Sequence, residues 1–238
     1  MNESGSGAYF VRRRSRGGGS GKGKRAAGLL IAVLLVLTAA ICLLVVFLPK
    51  ITGGTAAVGA FGGKTFYFLS TGSYSVRDTA LLAAQETTSR GGAGYIYNDG
   101  EYRIIAAVYS SEADARALAS VNDGATYFGI DVSVPKDADE NSVAAVAYLT
   151  GEWFDGVGRT ADELQRGNIT EAQAEHATAS ACARLCAVAE SAGMPNLKSA
   201  LYAAGEYSCP DKTAPLAYIR YVQVRAIAET VRALHTAG

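Results

Sequence analysis

Histidine is nearly missing from these 238 residues: His176 and His235 are the only two. Neither stands beside a serine or cysteine in a nucleophile turn, and no His-Glu-x-x-His pair occurs, so the sequence holds no hydrolytic triad and no metalloprotease centre. A zinc site fails for a related reason, because six positions around a helix turn His176 away from Cys182. A phosphate loop is also lacking. The run Gly17-Gly18-Gly19-Ser20-Gly21-Lys22-Gly23 has the composition of one, but Arg16 stands where the first glycine belongs and Gly23 where a serine or threonine belongs, with no strand leading in. Asp137, Asp139 and Glu140 read as a solvated linker, since a glycosidase pair is defined by the separation of its carboxylates in space and not by sequence. These absences point away from an enzyme, and they imply no cofactor and no metal.

Charge is absent over residues 26–48, where 23 positions carry no charged or amide side chain. At the helical rise they span about 35 Å, enough for a bilayer core. A cleaved signal peptide would have an apolar region of only about 7 to 15 residues and a small-residue cleavage site, whereas Pro49-Lys50 follows here. The stretch is therefore read as a single membrane helix. Of the 22 basic and 22 acidic residues, the first 25 positions hold seven and one, which leaves 15 against 21 for the rest. That asymmetry places the N-terminus in the cytoplasm and the remainder outside. An acidic external part is no partner for nucleic acid. Residues 1–25 read as a disordered basic tail beside anionic lipid, and 49–64 as a flexible linker.

Residues 65–135 carry a pattern written twice. Tyr67-Phe68-Leu69-Ser70-Thr71-Gly72-Ser73-Tyr74-Ser75 lies over Tyr102-Arg103-Ile104-Ile105-Ala106-Ala107-Val108-Tyr109-Ser110 at a constant offset of 35, the mark of a repeated strand-to-helix unit. Ser75 with Asp78, and Ser111 with Asp114, each offer an N-cap oxygen with a carboxylate three positions on. Gly91, Gly92 and Gly124 stop the two helices. Between the repeats, Asn98-Asp99-Gly100 reads as a hairpin turn, with Tyr97 paired either to Tyr102 or to Glu101. The predicted order is βαββαβ: an antiparallel sheet with both helices on one face. If Tyr67, Leu69 and Thr71 face the helices, alternation turns Phe66, Phe68 and Ser70 outward, with Arg103 and Ile105 beside them. Aromatic plates, a hydroxyl and a guanidinium on an open face suit a sugar chain. The competing expectation is that C-terminal helices cover that face.

The doubled run, Tyr67 to Tyr74 before one helix and Tyr102 to Tyr109 before the other, resembles the two halves of a SPOR domain, a bacterial module of sporulation and division proteins. The resemblance covers about 70 residues, under a third of the chain. It implies binding of peptidoglycan glycan strands, preferably those stripped of stem peptides, on the open sheet face. Match to the family's Gly-Ser adds Ser73 at the edge, so the expected site is Phe68, Ser70, Ser73, Arg103 and Ile105.

In the C-terminal region, residues 136–238, the periodicity becomes helical from about Glu140 onward. Asn141 opens a helix through Trp153, Thr160 with Glu163 caps a short one before Gly167, and Thr170 with Gln173 caps a long one to Ala192, broken at Gly193-Met194-Pro195. Thr213 and Pro215 open the last, whose apolar side holds Leu216, Ile219, Ala226, Ile227, Val231 and Leu234. The expected fold is thus α+β: one membrane helix, the βαββαβ sheet, then a small α-helical bundle. Cys182 and Cys186 stand one turn apart, too far for a relaxed bond to each other. Either one bonded to Cys209, or three buried thiols, fits the spacing. Taken together, the expectation is a single-pass protein of the bacterial cell membrane, its anchor helix in lipid, that binds glycan strands in division or sporulation. The alternative is an envelope scaffold that meets protein partners through its helical C-terminal region.

Overall fold

The structure, a computed structural model, describes residues 63–210 and 213–236. The readings of the tail, the membrane helix and nearly all of the linker fall on residues 1–62 and lie outside the described residues. No helix among the described residues is long and apolar enough to cross a membrane.

The predicted order appears as β1 (Lys64–Tyr74), α1 (Arg77–Ser89), β2 (Tyr95–Asn98), β3 (Tyr102–Tyr109), α2 (Glu112–Val121) and β4 (Thr126–Val132). The four strands form one antiparallel sheet in the order β2-β3-β1-β4. Alternation of aromatic and aliphatic residues along β1 and β3 supplies two apolar sides to such a sheet. Ser111 caps α2 as expected, its hydroxyl accepting from the Asp114 amide at 3.3 Å. At α1 the expectation fails, because the N-cap is Val76 and no side chain bonds there. Gly91 follows α1 with φ of 85°, a left-handed conformation that ends the helix at little cost for glycine.

Two bulges set the faces of the sheet. Leu69 lies opposite Ala107, Ser70 opposite Ile105, and Gly72 opposite Ile104, so Ala106 is the extra residue on β3 and Thr71 on β1. The insertions compensate, and the pairing continues in step beyond them. Thr71 keeps its helix-facing side, its hydroxyl 3.1 Å from that of Thr87 on α1. The hairpin adopts neither expected register. Asn98 pairs with Tyr102 and Tyr97 with Arg103 across a loop of Asp99, Gly100 and Glu101, which turns Tyr97 to the face away from α1 and α2, where its ring meets Phe68.

The C-terminal helices differ from expectation in two places. Glu140–Tyr148, a π-helical turn at Leu149–Trp153 and Phe154–Gln165 run on as one helix, α3. Asp139, not Asn141, caps it, accepting from the Ser142 amide at 2.9 Å, and Thr160 sits inside the helix with its hydroxyl on the Gly156 carbonyl. In the π turn the Phe154 amide reaches back to the Leu149 carbonyl and bypasses that of Thr150. Lys64 at the start of β1 takes the released carbonyl, its Nζ 2.7 Å from the Thr150 oxygen, so the irregular turn fastens the helix to the sheet. Next come α4 (Glu171–Ala189), with the full Thr170–Gln173 capping box, α5 (Pro195–Gly205), which was not anticipated, and α6 (Pro215–His235) with proline in its first turn.

The largest correction concerns the open face of the sheet, which is closed. One core joins Phe66, Phe68, Ile105, Val108 and Ile130 to Leu149, Trp153, Leu185, Leu201, Val222 and Ile227. The cause lies in α6. Besides the apolar side read from the sequence, Ala217, Tyr218, Val222, Val224 and Ala228 are buried. One stripe, Tyr221, Arg225, Glu229 and Arg232, is left half-buried or exposed, and most of the helix circumference must be enclosed. Here α3, α4 and α5 cover part of it, and β2, β3 and β4 supply the rest of the enclosure.

Candidate functional site

Three of the five expected site residues lie in the interior. Phe68 and Ile105 are fully buried and Ser70 is 1% exposed. Phe68 fits edge-on against Tyr97 and Phe128, with ring centres 5.8 and 5.7 Å away. The Ser70 hydroxyl turns onto the Gly72 carbonyl at 3.1 Å, so it has no free donor for a ligand. The solvent-open patch predicted from alternation does not form, since the side that alternation left free is the side that α6 requires.

Ser73 and Arg103 face each other across β1 and β3 at the uncovered end of this face. The arginine side chain is 32% exposed and its guanidinium is committed: Nε donates to both oxygens of Asp99, at 2.9 and 3.1 Å, and the group lies 5.5 Å from the centre of the Phe128 ring. Ser73 donates to the Glu101 carboxylate. What remains of the patch is a guanidinium flanked by two acids beside half-buried Tyr97 and Phe128. Its local charge is not that of a cationic site for an anionic ligand.

The open concavities lie elsewhere. A cleft of about 550 Å³ runs between the end of β3, the first turn of α2, α3 and α6, and a second of about 580 Å³ lies between α1 and α2 over the sheet. They share Ala107, Tyr109 and Arg220. Arg220 is held in place, donating to the Gly91 carbonyl at 2.8 Å and to the Gln165 side-chain oxygen at 2.7 Å. Burial pushes the Tyr109 hydroxyl above its ordinary pKa; Arg220 opposes this and Asp162 and Asp114 add to it. On the first cleft's wall the buried Gln223 amide reaches the Phe154 carbonyl at 3.1 Å. Gly158 permits that approach, since a Cβ there would lie 3.1 Å from the Gln223 nitrogen. Asp114, Glu152, Asp155 and Asp162 line it together with Arg159 and Arg220, a modest excess of acid. Neither cleft is lined by a histidine or cysteine. Both are surface grooves that mix carboxylate acceptors with arginine donors, Arg159 and Arg220 in the first and Arg90 and Arg220 in the second.

The remaining candidates resolve into structural roles. Asp139, once read as part of a solvated linker, caps α3 and also accepts from the Gly193 amide at 3.3 Å, tying the start of α3 to the α4–α5 turn. Its pKa is lowered, first by the Ser142 hydroxyl and then by the Ser142 amide. Cys182 and Cys186 are thiols, so neither bonds to Cys209, whose Sγ lies 3.7 Å from the Thr213 carbonyl. Burial pushes the Cys182 thiol up to about 12, with Cys186 adding to the shift, which keeps it protonated and unreactive. No group of three metal-ligating side chains occurs among the described residues.

Sequence reasoning passed over one surface. The large apolar side chains with the most exposure all lie on or beside α1 and α2: Val76, Leu81, Leu82, Leu118 and Val121. Helical spacing puts Val76 and Leu118 on the expected buried stripes of these helices, and their exposure of 56% and 37% corrects that expectation, whereas Leu81, Leu82 and Val121 lie off the stripes. Comparison of the chain with models of protein families, with curated proteins and with solved structures yields no match.

Proposed function

We propose that this chain is a membrane-anchored protein of the bacterial envelope whose folded part serves as an interaction scaffold, in preference to a glycan reader working through its sheet face. The anchor and its orientation rest on the uncharged stretch at 26–48 and the basic residues before it. The observation that carries the scaffold reading is the burial of Phe68, Ser70 and Ile105: the residues that alternation put on the expected glycan face are core residues, and a sugar chain would have to displace α6 to reach them. The exposed apolar side chains on α1 and α2 favour protein contacts made through that two-helix layer.

The test is sedimentation of the full chain in mild detergent with purified sacculi, untreated or amidase-stripped. The scaffold reading expects no more of the chain in the pellet than of an unrelated membrane protein. Enrichment on stripped sacculi that Arg103→Ala abolishes would overturn it and return the glycan to the remaining end of the sheet face. Protease added to intact protoplasts checks the topology, with removal of residues beyond the membrane helix and protection of the first 25 expected.

A further inference from the structure

The two edges of the sheet are unlike. At one edge β2 is four residues long and is tied to α6, the Tyr95 hydroxyl donating to Glu229 at 2.9 Å. At the other, β4 presents seven residues in unbroken register with β1, from Thr126 opposite Ser70 to Val132 opposite Lys64. No bulge interrupts it, and it holds no proline and no lysine. Among the described residues, no side chain or other segment hydrogen-bonds to the backbone of its outer side. Soluble proteins ordinarily protect a strand edge of this length, because its unpaired amides and carbonyls template pairing.

We propose that the outer edge of β4 pairs antiparallel with the β4 edge of a second copy of this chain. The argument is self-complementarity. A two-fold axis at Gly129 is the register that pairs all seven residues, since any other centre leaves an end unmatched. It sets Phe128 opposite Ile130 of the other copy, both on the α6 side of the sheet, where Phe128 is still only half-buried. On the other side it sets Tyr127 opposite Asp131 and glycine opposite glycine. The single charged residue of the strand, Asp131, therefore never meets its own copy. The helix over this edge is α2, which packs on β4 and β1 and carries Val121, 75% exposed. In a sheet continued through β4, two copies of α2 lie side by side. This inference does not depend on the scaffold reading and names a partner that reading leaves open.

Hydrogen exchange of the full chain in detergent, measured over about a hundredfold range of concentration, tests it. The expected result is slowing by about tenfold or more of alternate β4 amides, residues 126–132, at high concentration, with β2 amides unchanged. Gly129→Lys should abolish that slowing, because it places two ammonium groups at the directly opposed position, whereas Gly129→Asn should retain it. Gly129 is exposed, and a Cβ there meets the Thr65 methyl at 3.2 Å and the Tyr67 ring at 3.6 Å, so either variant requires the Thr65 methyl to shift by a few tenths of an ångström. If Gly129→Lys unfolds the chain, the concentration series on the wild type decides alone. Fast exchange of β4 at every concentration would overturn the proposal. Slow exchange independent of concentration would also overturn it, by showing that a segment of the same chain covers the edge.

Discussion

The two faces of the sheet are built from the same strands and packed in different ways. Toward α1 and α2 the enclosed core is small, Ala80, Ala84 and Ile104 with partly buried neighbours, and a cleft separates the helices. Toward α6 the same strands contribute Phe66, Phe68, Ile105, Val108 and Ile130 to a core that reaches through four helices. Short helices with narrow alanine stripes can shield a sheet without filling the space above it. A 21-residue helix that is buried on all but one polar stripe demands the larger surface. Exposed apolar area is accordingly found on the two-helix layer, the reverse of what alternation and resemblance implied. An open sheet face is therefore safely inferred only when no other element in the chain needs it.

Phe68→Ala should break the comparison most sharply. With its ring between Tyr97 and Phe128, truncation should cost about 3 to 5 kcal/mol in urea unfolding. Leu69→Ala, on the opposite face beside the cleft, should cost only about 2 kcal/mol, since one side of its cavity already borders open space. Equal losses would show that the two faces are packed alike.

The dryness of the α6 side can be read through Cys182. Its folded pKa, about 12, lies above that of an unfolded thiol. Below about pH 8.5 both states keep the proton and stability is unaffected; above it only the unfolded chain ionises, so stability should fall progressively until the pH reaches the folded value. Urea midpoints between pH 8 and 11 should show this slope, and Cys182→Ala should reduce it, with Cys186 and the buried tyrosines, whose pKa values burial also raises, supplying the remainder.

Lys64→Met tests the joint between β1 and the π turn. Loss of the hydrogen bond to the Thr150 carbonyl should cost about 1 to 2 kcal/mol, and amide exchange at residues 149–154 should quicken more than in α4. The smallest effect is expected on the two-helix layer. Leu82 is 68% exposed, and Leu82→Ala should change stability by less than about 0.5 kcal/mol. A larger loss would mean that the layer is covered.

Much of the local structure was legible in the residues. Ser111 and Thr170 announced their helices because a cap is a contact between neighbours in sequence. The Asn-Asp-Gly turn was legible as a turn but not in its register, since loops of two and three residues are both compatible with such a triplet. Thr160 misled because a threonine followed three positions on by glutamate satisfies the capping pattern equally well inside a helix. Nothing local disclosed the π turn, whose released carbonyl is answered by Lys64, 86 positions away.

By itself the sequence determined the βαββαβ order and the side on which Tyr67, Leu69 and Thr71 lie, because strand alternation and caps are properties of neighbours in the chain. Only the tertiary structure decided that Phe68, Ser70 and Ile105 are interior. Alternation assigns a residue to a face, but whether that face meets water depends on what the rest of the chain must bury, and α6, more than a hundred residues downstream, had no other surface large enough to complete its enclosure.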